Sequence, residues 1–297
     1  MPELPEVETV RRGLERLIIG RTIADAASDT PKSFPNAPAD VTQFLVGAKV
    51  VSVARRAKIL LIELNSKYSL VIHLKMTGQL VFVSAKERFG AGHPNASLVG
   101  QLPDKSTRVT LIFNDKSSLF FNDQRKFGWM RLIPTTEIVN LDFFKKVGPE
   151  PLSADFTWQE LHQRMQRRKN SNIKSVLLDQ SVVAGIGNIY ADESLWGAKI
   201  NPNMLVKNVP KARFKPLFEA MQAVLTKSIA EGGSSDKNYV DVAGNKGRYL
   251  TFAAVFRKEG TPCPRCDTII IKTRVAGRGT HTCPKCQPQP KLQRKDR

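Results

Sequence analysis

Long apolar runs are missing from this sequence, and cysteine and acidic residues are scarce. No stretch approaches the roughly 20 apolar residues that cross a bilayer, so a membrane-spanning segment is excluded. The start is charged from Glu3 onward and has no apolar signal-peptide core, so we expect a cytoplasmic protein. Only 4 cysteines occur in 297 residues, and the chain before Cys263 has none and therefore no disulfide.

The shortage of acidic residues gives the chain a strong positive charge. Asp and Glu number 27 against 46 Lys and Arg, for a formal charge of +19 and a pI near 10.0. Such a charge favours a polyanionic partner, either nucleic acid or an anionic membrane surface. Residues 161–174 carry five cations and no acid, and residues 263–297 carry nine cations and two acids. Because no cationic amphipathic helix with a bulky apolar face stands out, nucleic acid is favoured.

The four cysteines form two Cys-x-x-Cys pairs, Cys263 with Cys266 and Cys283 with Cys286, separated by sixteen residues. This spacing is typical of zinc sites, and four thiolates suit one structural Zn²⁺ with no open catalytic position. Disulfides are the alternative, but a cytoplasmic chain keeps its thiols reduced. His281 could compete as a ligand, although we expect an ordinary strand residue there.

Hydrophobic periodicity predicts one helix followed by a β-rich region. Residues 5–19 form an amphipathic pattern that ends at Gly20. Short strand-like runs follow, with polar turns between them, at 49–55, 58–64, 69–74, 79–83, 108–113, 118–122 and 129–133. This pattern favours a β-sandwich or barrel. Residues 84–105 lack periodicity and are predicted to form a long loop.

The second half of the chain changes character. A linker containing Gly148-Pro-Glu-Pro151 precedes predicted helices at 158–168, 173–179, 189–196 and 211–230, the last stopped by Gly232 and Gly233. The sequence therefore predicts an α+β protein with one helix, a β domain, a helical domain and a zinc module. The polar, basic end is predicted to be a disordered tail.

The start of the chain carries a candidate nucleophile. If Met1 is removed, Pro2 becomes a free secondary amine with the Glu3 carboxylate beside it. A terminal amine titrates near ~8, well below lysine, and its neutral form attacks carbonyl-like carbons. A prolyl iminium has no N–H proton to lose and is a strong electron sink. The alternative is that Pro5 and Glu6 simply start a helix.

Several separated motifs occur in one order along the chain: Pro2-Glu-Leu-Pro-Glu-Val-Glu8, Arg55-Arg-Ala-Lys58, His73-Leu-Lys-Met-Thr-Gly78, Gln124-Arg-Lys-Phe-Gly128, Gly185-Ile-Gly-Asn-Ile-Tyr-Ala-Asp-Glu193 and Ala276-Gly-Arg-Gly-Thr280. Together with the cysteines they closely resemble the bacterial formamidopyrimidine-DNA glycosylase family, bifunctional base-excision enzymes for oxidised purines. The resemblance runs from Pro2 to about Gln287.

The resemblance implies a domain organisation. We expect an N-terminal helix plus β-sandwich catalytic domain, a helix–two-turn–helix domain with a lesion-recognition loop, and a zinc ribbon. The bounds are 1–134 for the catalytic domain, 135–151 for a linker, 152–257 for the helical domain, 258–287 for the ribbon and 288–297 for the tail.

The resemblance also implies the chemistry. Pro2 is expected to attack the sugar C1′, displace the damaged base and cut the strand by β- and δ-elimination. Glu3 is its acid–base partner, Glu6 helps position the site, and Lys58 is a cation near the phosphate of the damaged nucleotide. Without the family, Lys58 is an ordinary surface cation at a strand start.

Further family residues are expected to bind DNA. Met76, Arg125 and Phe127 match the trio that fills the gap left by the everted base, although apolar residues in a β region are usually core. Asn188 and Arg278 match phosphate contacts, and Lys174 is a further candidate phosphate contact. The segment 232–250, with Ser234, Ser235 and Tyr239, resembles the loop over the flipped base; a plain interhelix loop is the alternative.

Two competing functions stay open at this point. Endonuclease VIII-like glycosylases for oxidised pyrimidines usually have glycine where this chain has Leu4, and they lack the combination of Met76, Arg125 and Phe127. A catalytically inactive zinc-ribbon DNA-binding protein is the second alternative, yet the candidate catalytic residues are all present. We expect a monomer, associated with the nucleoid, that binds double-stranded DNA carrying a damaged purine.

Overall fold

The computed structural model describes residues 1–93, 95–233 and 249–289. The chain divides into two compact units, one formed by Met1–Lys145 with Ser228–Tyr249 and the other by Lys146–Lys227 with Leu250–Arg297. Across the described ranges, no helix is long and apolar enough to cross a membrane. The five-part division expected from the sequence stays a prediction.

The first unit begins with helix α1 (Leu4–Ile18), where the sequence predicted it. Val7, Val10 and Leu14 lie on its apolar face and are fully buried. Gly13 lies mid-helix for a packing reason: a Cβ there would come within 2.0 Å of the Phe89 ring. The helix is therefore held against the β region along its whole apolar face.

Two antiparallel sheets form the rest of this unit and share one hydrophobic core with α1. The five-stranded sheet has the order β1-β7-β8-β5-β6, with β1 (Ile23–Ser28), β5 (Gly78–Val83), β6 (Arg88–Gly92), β7 (Thr107–Phe113) and β8 (Ser118–Asp123). The four-stranded sheet has the order β2-β3-β4-β9, with β2 (Val50–Arg56), β3 (Ile59–Leu64), β4 (Tyr68–His73) and β9 (Trp129–Pro134). The predicted α+β class is confirmed, and all seven predicted strands are present.

The predicted long loop at 84–105 is wrong, because β6 and a 3₁₀ turn at Ala96–Leu98 lie within it. Its glycines suggested a loop but serve strand packing. Gly92 has φ +126°, and a Cβ there would come within 2.5 Å of the Gly78 carbonyl oxygen on the neighbouring strand. The edge strand β1 was also missed, since most of its small residues are exposed or half-buried and give no alternation.

The segment predicted as a linker is largely helical. It holds a 3₁₀ helix at Thr135–Asn140 and helix α3 (Asp142–Lys146); a short α2 (Pro38–Asp40) continues into a π-helical turn at Val41–Leu45 earlier in the chain. Ile138, Phe143 and Phe144 pack in a second apolar cluster with Ile59 and Val71. Burial of these side chains orders the first part of the segment, before the Gly148-Pro-Glu-Pro151 run that indicated a linker.

The second unit contains the predicted helices and the zinc module. Its elements are α4 (Trp158–Gln166), α5 (Ile173–Leu178), α6 (Asn188–Gly197), most of α7 (Phe214–Ala230), most of α8 (Tyr249–Phe252), and the hairpin of β10 (Ile271–Val275) with β11 (Arg278–Thr282). Short 3₁₀ turns occupy Val206–Asn208 and Lys211–Arg213. Gly232 and Gly233 end α7 with φ of +73° and +88°, as predicted.

Candidate functional site

The N-terminus of α1 places the candidate nucleophile and two carboxylates together. Pro2 is buried, and Glu3 is the N-cap residue. The Glu3 backbone N–H donates to Glu6 Oε2 at 2.8 Å, and the Glu3 carboxylate accepts from the Glu6 backbone N–H. This reciprocal capping box satisfies two helix-end donors and fixes both carboxylates next to Pro2. The helix-start and the catalytic interpretations of these residues are therefore compatible.

The end of α7 lies against the same carboxylates. A Cβ placed on Gly233 would be 3.2 Å from Glu6 Oε1, and the φ of +88° at Gly233 favours glycine. The residues that follow, including Ser234, Ser235 and Tyr239, lie outside the described part of the chain, so the expected lesion-recognition loop stays a prediction.

Lys58 lies in a two-residue hairpin turn between β2 and β3, and its side chain is buried. Arg55 links this turn to α1. Its Nη1 donates to the Ala57 carbonyl oxygen at 2.8 Å, and its Nε donates to Glu8 Oε2 at 3.1 Å. The guanidinium thereby connects the helix that carries Pro2 to the hairpin that carries Lys58.

The Glu8 carboxyl that binds Arg55 is ionised near neutral pH. Burial opposes its ionisation, but hydrogen bonds from Arg11, Arg12 and Arg55 outweigh burial and keep the pKa of the Glu8 carboxyl below its usual value. Glu8 and Arg55 both lie within the family motifs, but the sequence alone gives neither of them a role. Their pairing is not visible in the sequence because 47 positions separate them.

His73 is a second residue that sequence reasoning left without a role. Burial, then the charges of Lys75 and Lys58, lower the pKa of its imidazole to about 3. The ring is therefore neutral near pH 7, and its Nδ1 accepts the Lys75 backbone N–H at 3.0 Å. The His73 ring therefore adds no charge of its own next to the Lys58 and Lys75 ammonium groups.

The three predicted gap-filling residues lie on two turns of the first unit. Met76 follows β4, and Arg125 and Phe127 follow β8. Met76 is 37% exposed and Phe127 is 46% exposed, so neither is ordinary core. The Arg125 guanidinium carbon lies 4.8 Å from the centroid of the Phe127 ring. The exposure of these apolar side chains is what a surface that inserts into a partner requires.

Two candidate phosphate contacts meet in the second unit. Asn188 is the first residue of α6, and its Nδ2 donates to the Gly279 carbonyl oxygen at 3.0 Å. Arg278 directly precedes Gly279 and is exposed at the start of β11. The hydrogen bond therefore fixes the helix N-terminus and the hairpin arginine relative to each other.

The predicted phosphate contact of Lys174 is wrong for this structure. Its side chain is fully buried, and its Nζ lies 2.7 Å from Asp192 Oδ1. The same ammonium donates to the Gly279 carbonyl oxygen at 2.9 Å and to Thr280 Oγ1 at 2.7 Å. Lys174 therefore supports the hairpin backbone next to Arg278 from inside, because a buried charge needs partners.

The four cysteines are brought together as predicted. Their Sγ atoms all lie within 4.8 Å of one another, with Cys266 Sγ 3.4 Å from Cys283 Sγ and 3.5 Å from Cys286 Sγ. Four thiolates at about 2.3 Å from one Zn²⁺ stand about 3.8 Å apart, so the cluster fits a tetrahedral zinc ion. His281 lies in β11 outside this cluster, as expected, with Nδ1 3.2 Å from Asp192 Oδ2.

The zinc module is joined to α6 at the end opposite Asn188. Arg265, inside the first Cys-x-x-Cys pair, donates from Nη1 to the Trp196 carbonyl oxygen at 3.0 Å. Its guanidinium carbon also lies 3.9 Å from the centroid of the Trp196 ring. The metal site thus stabilises both the hairpin and the helix that carry the candidate phosphate contacts.

Known proteins match this chain over nearly its whole length, both in sequence and in structure. Family models match at residues 1–130 (formamidopyrimidine-DNA glycosylase N-terminal domain), 147–239 (its H2TH domain) and 260–289 (zinc finger found in FPG and IleRS). The chain belongs to the formamidopyrimidine-DNA glycosylase family.

Individual relatives agree with this assignment. The formamidopyrimidine-DNA glycosylase of Herpetosiphon aurantiacus is 40% identical over 97% of this chain and 100% of its own length. The Lactococcus lactis Fpg bound to DNA with an abasic site has a TM-score of 0.85 at 34% identity, covering 97% of this chain and 100% of that one. MutM bound to DNA with carbocyclic 8-oxo-G has a TM-score of 0.84 at 33% identity, with the same coverage.

Arg55→Lys tests the link between the glycosylase family's N-terminal helix and the lysine hairpin. Lysine keeps a charge near Glu8 but cannot donate in two fixed directions, so the Ala57 carbonyl loses its partner. We expect single-turnover base excision to slow by about tenfold, equivalent to about 1.4 kcal/mol. Arg12→Lys is the matched control, since Arg12 also binds Glu8 but is 58% exposed. Equal rates for the two variants would contradict the link.

Zinc removal tests the supporting role of the metal. Chelation should weaken duplex binding strongly, and added Zn²⁺ should restore it, because Arg278 and the end of α6 both lose their support. In the zinc-loaded Arg278→Ala variant, the salt slope of binding should fall by only about one. Duplex affinities across a salt series measure both effects. Unchanged binding after verified zinc loss is the contrary result.

Proposed function

We propose that this protein removes oxidised purines, namely 8-oxoguanine and formamidopyrimidines, from duplex DNA and cuts the strand at the resulting site. The family membership supports a bifunctional DNA glycosylase and abasic-site lyase of base-excision repair. The observation that carries the residue assignment is the capping box that holds Glu3 and Glu6 beside a buried Pro2.

In the proposed reaction, loss of Met1 makes the Pro2 nitrogen the terminal amine. A terminal amine titrates well below lysine, so more of it is in the neutral, nucleophilic form. The nitrogen forms a bond to the sugar C1′ while the bond from C1′ to the damaged base breaks. The nitrogen loses its proton, and the bond from C1′ to the sugar ring oxygen then breaks, which turns the adduct into an iminium. The iminium withdraws electrons and acidifies the C2′ proton, so that β-elimination and then δ-elimination release the two phosphates.

Three further residues serve this sequence of steps. Glu3 donates a proton to the sugar ring oxygen as the ring opens and afterwards carries protons to and from the sugar. Glu6 orients Glu3 through the Glu3 backbone N–H. Lys58 lies on the hairpin tied to α1 by Arg55 and offers its positive charge to the phosphate of the damaged nucleotide.

Base eversion requires the gap in the duplex to be filled, because unstacking costs a few kcal/mol. We assign this role to Met76, Arg125 and Phe127. The exposed Met76 and Phe127 side chains occupy the space of the everted base. Arg125, resting against the Phe127 ring, donates hydrogen bonds to the Watson–Crick edge of the unpaired cytosine.

The second unit holds the DNA backbone in this proposal. Asn188 at the start of α6 and Arg278 on the zinc hairpin contact phosphates near the lesion, consistent with the preference of helix N-termini and arginine for phosphate. The zinc ion is structural and holds the hairpin that presents Arg278. One chain supplies every residue, so the proposal includes a monomer that works with the nucleoid in the cytoplasm.

Borohydride trapping tests the proposed amine. The chain is cleaved from an N-terminal extension so that Pro2 is its first residue, and it is incubated with a duplex carrying 8-oxoguanine opposite cytosine. Borohydride should reduce the iminium to a stable covalent protein–DNA product. The uncleaved form, in which the Pro2 nitrogen is an amide, is the matched control and should give no product.

Two outcomes would overturn the proposal. A covalent product from the uncleaved form would require another nucleophile, and absence of both trapping and strand cleavage by the processed chain would refute the activity. A parallel duplex with thymine glycol separates oxidised purines from oxidised pyrimidines as substrates, and we expect the 8-oxoguanine duplex to be cleaved faster.

A further inference from the structure

The two turns that carry Met76, Arg125 and Phe127 are joined by buried hydrogen bonds. The first turn comprises residues 74–77, between β4 and β5, and the second comprises residues 124–128, between β8 and β9. We call them the presenting turns. They belong to different strand connections, so their side chains act together only if something fixes one turn relative to the other.

Asp123, the last residue of β8, is fully buried and bonds to both presenting turns. Its Oδ1 accepts a short hydrogen bond from Thr77 Oγ1 of the first turn. In the second turn, the Arg125 backbone N–H lies 3.2 Å from Oδ1, and the Gly128 backbone N–H donates to Oδ2 at 2.6 Å. One carboxylate therefore ties the beginning and the end of the second turn to the first.

Thr77 completes the connection. Its Oγ1 accepts the Arg125 backbone N–H at 3.1 Å while donating to Asp123. Thr77 follows Met76 directly, and its neighbour Gly78 pairs with Asp123 across β5 and β8. The Thr77 hydroxyl thus connects the first turn, next to Met76, to the backbone of Arg125 in the second turn.

The surroundings hold Asp123 in place. Arg108, itself buried, donates from Nε to the Asp123 carbonyl oxygen at 3.0 Å. Gly128 packs closely enough that a Cβ would lie 2.8 Å from Phe121 Cζ. Lys75 and Lys126, one in each turn, adopt left-handed φ angles of 50° and 56°. Such backbone conformations persist where the surrounding bonds enforce them.

We infer that Thr77 and Asp123 are positioning residues for base eversion. Resting on the proposed function, this inference adds that the hydroxyl–carboxylate pair holds Met76, Arg125 and Phe127 in one insertion-ready arrangement before DNA arrives. Preorganisation of this kind lowers the cost of ordering the three side chains when the duplex opens. The pair itself contacts no reacting atom.

Thr77→Val and Thr77→Ser form the matched pair that tests this inference. Valine keeps the shape and loses the hydroxyl, whereas serine keeps the hydroxyl. Eversion is followed by stopped-flow fluorescence of 2-aminopurine placed beside 8-oxoguanine. We expect about tenfold slower eversion for Thr77→Val and a rate within about twofold of wild type for Thr77→Ser.

A double-mutant cycle separates positioning from general stability. If Thr77 acts through the inserted side chains, Thr77→Val should cost much less in a background that carries Met76→Ala, Arg125→Ala and Phe127→Ala. A tenfold cost that persists in that background, or a Thr77→Val rate equal to wild type, overturns the inference. Urea unfolding of each variant verifies that all are folded at the assay temperature.

Assays of the wild-type protein distinguish a failure of the proposed function from a failure of the positioning role of Thr77. If processed wild-type protein gives no borohydride product with the 8-oxoguanine duplex, the proposed function itself fails. If it gives that product while Thr77→Val everts the base at the wild-type rate, only the positioning role is lost. Asp123→Asn, which places an amide N–H₂ among these backbone donors, should slow eversion at least as much as Thr77→Val.

Discussion

A chain terminus that performs chemistry has to be held still, and the capping box at the start of α1 meets this requirement. Terminal residues ordinarily fray because few contacts hold them. Here Glu3 and Glu6 close the helix end on each other, and Leu4 and Val7 anchor the same turn in the core. Helix α1 packs along both sheets and thereby fixes the position of Pro2, the nucleophile of the proposed reaction. The N-terminal unit can therefore be seen as a support for its first residues.

Several acidic residues of this basic chain hold separate parts of the structure together through hydrogen bonds and ion pairs. Glu8 holds Arg55, Asp123 joins the presenting turns, and Asp192 holds Lys174 under the zinc hairpin. Glu193 accepts three consecutive backbone N–H groups of residues 254–256 ahead of the zinc module. The chain keeps a formal net charge of +19, which favours contact with a polyanion.

Local signals in the sequence predicted what depends on local order. The periodicity of residues 5–19 and the strand alternation around Val109 gave the right elements, and the cysteine spacing gave the zinc site. β6 was missed because its glycines lie close to Leu98 and to β5, contacts that no local pattern reveals. Lys174 was assigned to phosphate because its motif is basic; its partner Asp192 becomes adjacent only through the packing of α5 and α6. The roles of Arg55 and Asp123 likewise required the positions of distant strands.

Peptide mapping of the trapped complex tests the central claim most directly, because it identifies the atom that formed the bond. The borohydride-reduced complex is digested with nuclease and protease, and the sugar-bearing peptide is sequenced by mass spectrometry. The account predicts a sugar fragment on the nitrogen of Pro2, in a peptide that begins at Pro2 and lacks Met1. A fragment attached to Lys58 or another lysine, with the Pro2 nitrogen unmodified, would contradict it.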